Sequence, residues 1–192
     1  MDGSSSALQF FESLRNLYRQ SSDLLLDSDR LLGEKGWQPV NSNGPGEYSY
    51  SISVPDKWFA RWASRFYYPA SAEDETSIEA LLFSSVHFAS DEGDTEVDEP
   101  LFAGGYLRFA PALTKREALG QWRNSYWVCK SWSYGEPFDR EGQWVEWQVP
   151  SRYMAAMPVV RSFTLPLYSI DSPEALREKA IETLLQGLHQ DG

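Results

Sequence analysis

Apolar positions at the start of the chain recur by fours and threes. Phe10, Leu14, Leu17, Ser21, Leu24, Ser28 and Leu31 step along one line, and Phe11, Tyr18, Leu25 and Leu32 widen it. This is the period of an α-helix with one buried stripe. The spacing predicts a long helix from Ser6 to Leu32, with caps offered by Ser4 to Ser6 and a stop at Gly33. At 1.5 Å per residue such a helix spans roughly 40 Å. A break at Ser21 and Ser22 is the alternative. Serine at two seam positions argues against a coiled coil and for packing on a sheet or a partner helix.

The pattern then changes. Residues 33–46 read as a loop rich in Gly, Pro and Asn, with Trp37 inside it. Tyr48, Tyr50, Ile52 and Val54 alternate with serines, as in a strand with one polar face. Pro55 and Asp56 can open a helix, and Trp58, Trp62 and Phe66 recur at four-residue spacing, with Lys57, Arg61 and Arg65 each one position earlier. A short helix through about Phe66 is expected, carrying a cationic stripe beside an aromatic one.

Ile78 to Ala89 is apolar on both faces and reads as a long strand, with Leu101 to Phe109 as its partner. Gly104 and Gly105 suggest a bulge or a close backbone approach. Thr114 and Glu117 have the spacing of a capping box. From Trp122 to Tyr134 aromatic and β-branched residues alternate; Gly135, Pro137, Asp139 and Gly142 supply a turn; Trp144 to Val149 resumes the alternation. The stretch Trp122 to Gln148 holds five of the eight tryptophans. It reads as a hairpin whose rings lie inside, at the centre of the sheet, as scaffold more than as site. Val159, Arg161, Phe163, Leu165 and Leu167 alternate along another strand, which Pro166 puts at an edge or at its end. Asp171, Ser172, Pro173 and Glu174 start a final helix, with an apolar face through Leu176, Ala180, Ile181, Leu184 and Leu188.

Strands joined by loops rather than by helices favour an antiparallel sheet. The expected fold is α+β: one domain over residues 1–192, with a sheet of about six mainly antiparallel strands and the long N-terminal and C-terminal helices packed on it. Residues 1–5 are expected to be flexible.

Charge narrows the function classes. The net charge is -11, and nine of the 28 acidic residues sit in two loops, Glu73 to Glu75 and the acidic loop 90–100. The other 19 acids nearly balance the 17 bases. An acidic chain is ill suited to nucleic acid or anionic membrane, which bind by phosphate neutralisation. The acidic loop lacks the calcium-loop spacing, because Asp91, Gly93 and Asp94 fall out of register. No run of apolar residues is long enough for a membrane span and no signal peptide is evident, so the cytoplasm is the expected compartment. The single cysteine, Cys129, forms no zinc or redox motif. Only His87 is placed to join a catalytic triad, and no G-x-S-x-G elbow, Walker loop or G-x-G-x-x-G accompanies it. No catalytic residue, metal site or cofactor is expected.

Two candidate sites remain. The first is a protein-docking surface made of Lys57, Trp58, Arg61, Trp62 and Arg65, residue types that anchor interfaces. The second is a nucleotide or sugar pocket, binding or hydrolytic, walled by Trp127, Trp132, Trp144 and Trp147 with Glu146 as its polar group. A noncatalytic protein-binding or regulatory module is the primary expectation.

Overall fold

The computed structural model describes residues 3–40, 45–46, 59–60, 62–88, 99–120, 142–148 and 159–190. The apolar stripe of the N-terminal stretch does form one helix, α1 (Gly3–Gly33), which runs through Ser21 and Ser22 without a break. It begins early enough that Ser4 to Ser6 lie within its first turns rather than capping it. Ser21 and Ser28 sit buried in the seam because each hydroxyl donates back to a carbonyl four residues earlier, Leu17 O at 2.8 Å and Leu24 O at 3.0 Å. Neither hydroxyl is thus stranded in the seam. Gly33 remains in the helix; the left-handed residue that turns the chain is Gly36, at φ 82°.

The region expected to be a loop contributes two short strands, β1 (Trp37–Pro39) and β2 (Pro45–Gly46), both antiparallel to β3 (Trp62–Pro69). Next come β4 (Ser77–His87) and β5 (Leu101–Thr114), antiparallel as expected, then a one-turn helix α2 (Lys115–Gly120), β6 (Val145–Gln148) and β7 (Val159–Pro166). The path through the sheet is β1, β3, β4, β5, β7, β6, every neighbouring pair antiparallel, with β2 beside β3. The centre of this sheet is β4 and β5. Among the described strands, β6 of the tryptophan hairpin pairs with β7 at the end of the path, not at the centre. Its other arm, 122–134, lies outside the described residues, as do the alternating stretch 48–54 and most of the acidic loop.

Gly104 and Gly105 meet a close approach rather than a bulge. A β-carbon on Gly104 would lie 2.8 Å from the Phe163 ring, and one on Gly105 would strike the Arg161 carbonyl and the Phe83 ring. The irregularity of β5 lies further on: Ile78 pairs with Leu113 but Ala80 with Arg108, so β5 bulges around the cis Ala110–Pro111 bond. Thr114 and Glu117 form the expected capping box. The Glu117 carboxylate accepts from Thr114 N at 2.9 Å, and Glu117 N donates to Thr114 Oγ1 at 3.3 Å. These hydrogen bonds hold the Glu117 carboxyl below its ordinary pKa.

Pro166 ends β7, and a 3-10 turn (Leu167–Ser169) leads into a helix over residues 173–190, α3. It comprises α-helical Pro173–Ala175, π-helical Leu176–Ile181 and α-helical Glu182–Gln190. Ser172 caps it by accepting from Ala175 N at 3.1 Å.

α1 and α3 share one face of the sheet. Leu25, Leu31 and Leu32 of α1 and Leu176, Ala180, Ile181 and Leu184 of α3 bury Tyr67, Leu82, Val86, Phe102, Tyr106 and Phe163 beneath them. The opposite face carries Trp62, Phe66, Leu81, Phe83, Leu107 and Val160, with Ala118 of α2 packed against them. Across this second face runs a row of smaller, more polar side chains in direct register: Ser64, Ser85, Ala103 and Thr164. Among the described residues no helix is long and apolar enough to cross a membrane.

Candidate functional site

The expected cationic and aromatic stripes part company because Trp62 to Phe66 form a strand, not a helix. Alternation sends Trp62 and Phe66 into the core of the second face, while Arg65, Ala63 and Tyr67 point to the helical face. Arg65 is there engaged by α1. Its Nε donates to one Asp29 oxygen at 3.1 Å and its Nη2 to the other, a fork-to-fork pair with both side chains mostly buried. The Asp29 hydrogen bond raises the Arg65 pKa, so the charge is fixed. Tyr67, buried beside it, exchanges a hydrogen bond with Ser84 at 2.9 Å; desolvation pushes its phenol well above the usual range. Arg65 therefore fastens α1 to the sheet. Lys57, Trp58 and Arg61 lie outside the described residues.

Of the aromatic-pocket residues, Trp144 and Glu146 can be placed. Trp127, Trp132 and the Trp147 side chain lie outside the described residues. Trp144 packs on the helical face: its ring lies 5.0 Å from Phe163 and 5.8 Å from Tyr106, and it occupies the space that a side chain at Gly187 of α3 would need. Two guanidiniums frame this cluster, Arg161 at 5.5 Å from the Trp144 ring and Arg108 at 5.5 Å from Tyr106. Arg108 also donates to Leu188 O at 3.2 Å, satisfying a carbonyl near the end of α3. Glu146 is mostly exposed, 3.9 Å from Arg161. The cluster docks α3 on the sheet; its carboxylate, Glu146, faces a cation, and among the described residues no second carboxylate is placed opposite it as two-carboxylate glycoside chemistry would need.

His87 does meet a serine. Its Nε2 lies 3.1 Å from Ser85 Oγ, but that hydroxyl also donates to Ala63 O at 3.1 Å. One proton cannot serve both acceptors. With His87 Nε2–H donating to Ser85 Oγ, the serine keeps its own proton for the Ala63 carbonyl and does not donate it to the imidazole. Complete burial against Trp62 lowers the His87 pKa to about 3. Among the described residues no group of three or more His, Cys, Asp or Glu is placed to hold a metal ion.

Exposed apolar side chains are most closely grouped elsewhere, on the N-terminal turns of α1. Leu8, Phe10 and Phe11 are 66%, 58% and 54% exposed. Phe10 continues the line of Leu17, Ser21 and Ser28, all of which lie against the core, so the stripe runs on past the part of α1 that the described sheet covers. Near the overhang, Tyr18 meets the Phe88 ring at 4.8 Å and donates its hydroxyl to Ala60 O at 3.1 Å. The stripe is written in the sequence; the point at which the sheet stops beneath it is not. Comparison with family models, with curated proteins and with solved structures finds no match to the chain.

Proposed function

We propose that this chain is a noncatalytic protein-binding module whose docking element is the overhanging N-terminal half of α1. One observation carries this: a stripe of core character continues into solvent through Phe10, with Phe11 on its edge and Leu8 exposed one turn before Phe11, on a helix whose other half is locked to the sheet. Leaving three large apolar side chains in water forgoes roughly 1.5–3 kcal/mol apiece, which a partner recovers on covering them. The 4-3 spacing of Phe10, Leu14 and Leu17 suits a partner helix laid along α1. One flank, Gln9, Ser13 and Asn16, is uncharged, while the other, beside Leu8 and Phe11, carries Glu12 and Arg15.

The test is the triple substitution Leu8→Ser, Phe10→Ser, Phe11→Ser. The wild-type chain is expected to co-sediment with a partner, and the variant to lose it at unchanged melting temperature. A second copy of the chain as the partner would appear as concentration-dependent sedimentation that the substitutions abolish. Retention of the same partners by the variant refutes the proposal. The nucleotide- or sugar-pocket reading draws no support from Trp144, whose ring is already seated on α3.

A further inference from the structure

Beside the buried stripe, α1 forms one wall of an open groove of about 420 Å³, with the 3-10 turn and the start of α3 as the other wall. Its floor is apolar, made of Leu24, Ile170 and Leu176. Its rim is acidic: Asp23 and Asp27 come from α1, and Asp171 faces them from the turn. Tyr168 lines it too, with 64% of its surface in solvent.

The cations nearby are committed elsewhere. Arg30 lies between Asp27, at 3.4 Å, and Glu34, at 2.9 Å; Arg177 pairs with Glu34; Lys179 donates to Ser169 O at 2.7 Å. Asp23 and Asp171 enter no ion pair among the described residues. The groove thus presents uncompensated negative charge on both sides of an apolar trough.

We infer that this groove binds a basic segment of a partner protein, one that seats an apolar side chain on the Leu24, Ile170 and Leu176 floor and sets Arg or Lys against the aspartates. The charge fixes the class of occupant. An acidic or neutral segment would leave Asp23 and Asp171 facing like charge or partly desolvated without a counter-ion. Arg and Lys suit the place doubly, because their methylene stems lie on apolar surface while their heads reach a carboxylate. An exposed tyrosine ring at the rim offers a face for the same cations. The volume falls within the range of single-ligand sites, enough for one large side chain and its neighbours. This inference stands apart from the overhang, since none of the groove residues is Leu8, Phe10 or Phe11.

The probe is a fluorescein-labelled peptide of alternating Arg and Leu, titrated into the full chain and read by anisotropy, beside an Arg and Ser peptide of equal charge. Saturable binding of the Arg and Leu peptide is expected, weakened at least about tenfold by Asp23→Lys with Asp171→Lys. The same charge change in the exposed acidic turn, Glu73→Lys with Asp74→Lys, should leave affinity within about twofold, and so should the overhang triple variant. Equal weakening by both aspartate and turn variants would reduce the effect to the overall charge of -11 and overturn the inference. Equal binding of the Leu-free peptide would overturn the role of the floor, and absence of binding to about 1 mM would overturn the site. Should the lysine pair lower the melting temperature, Asp23→Asn with Asp171→Asn removes the same charges more gently and must still weaken the probe selectively.

Discussion

From Leu17 onward the stripe of α1 lies on the sheet: Ser21, Leu25, Ser28, Leu31 and Leu32 are buried, and Asp29 grips Arg65 of β3. Phe10, on the same line of the helix, is exposed, as are its neighbours Leu8 and Phe11. Composition does not separate the halves, since the exposed one is if anything the more aromatic. What separates them is the extent of the sheet beneath. A residue of the apolar stripe is held by the chain's own fold in one half, and in the other it is available to something else.

Five measurements would break or sharpen this contrast. The largest effect is expected from Leu32→Ala, which empties a fully buried position in the anchored half and should cost about 2–5 kcal/mol in denaturant unfolding. A loss below about 0.5 kcal/mol would mean that the anchored half is not anchored by its stripe.

Acid should act next. His87 is neutral in the fold with a pKa lowered to about 3, whereas the unfolded chain takes up a proton near 6.5. Below pH 6.5 the unfolded state therefore binds the extra proton and stability falls with pH down to about 3. At pH 4.5 the contribution reaches about 2–3 kcal/mol, and His87→Gln should flatten that limb of the pH profile. Amide exchange read along α1 sharpens the contrast: protection of residues 17–33 should fall with acid, while residues 3–14 exchange fast throughout. Uniform protection along the helix would contradict the overhang.

Asp29→Asn leaves the Arg65 guanidinium without its carboxylate at a mostly buried place, and about 1–3 kcal/mol of destabilisation is expected. Adding Arg65→Met to Asp29→Asn, which removes the stranded charge as well, should recover part of that loss by thermal melting at low salt. The smallest effect on stability, within about 0.5 kcal/mol, is expected for Phe10→Ser in the exposed half. A larger loss would show that Phe10 has a partner within the fold.

Much of this fold was legible in the chain because period and chemistry agreed. The 4-3 steps of α1, the paired runs of β4 and β5, the capping box at Thr114 and Glu117 and the Ser172 to Pro173 helix start each satisfied two rules at once. The segment around Trp62 misled because a spacing of four residues is common to both periods. In a helix it is about one turn, and in a strand it is two repeats of the alternation, so Trp58, Trp62 and Phe66 fit either. The deciding feature was local: Arg65 stands next to Phe66, and only a strand separates adjacent residues onto opposite faces. Trp37 to Pro39 is too short for any period to register. The candidate site was less legible. The partnership of Asp29 with Arg65 spans 36 positions, and the edge of the sheet under α1 is a tertiary fact with no local signature.

The glycine pair at the middle of β5 has a consequence for how the strands align. Gly104 opens the helical face to the Phe163 ring and Gly105 opens the other face to Phe83, from strands on opposite sides. Sliding β5 by two positions would set Phe102 or Tyr106 where Gly104 stands, and sliding by one would turn its faces over. Few alignments of three strands leave room for both rings. The two missing side chains work as the notches of a key, admitting the native pairing and jamming its nearest competitors.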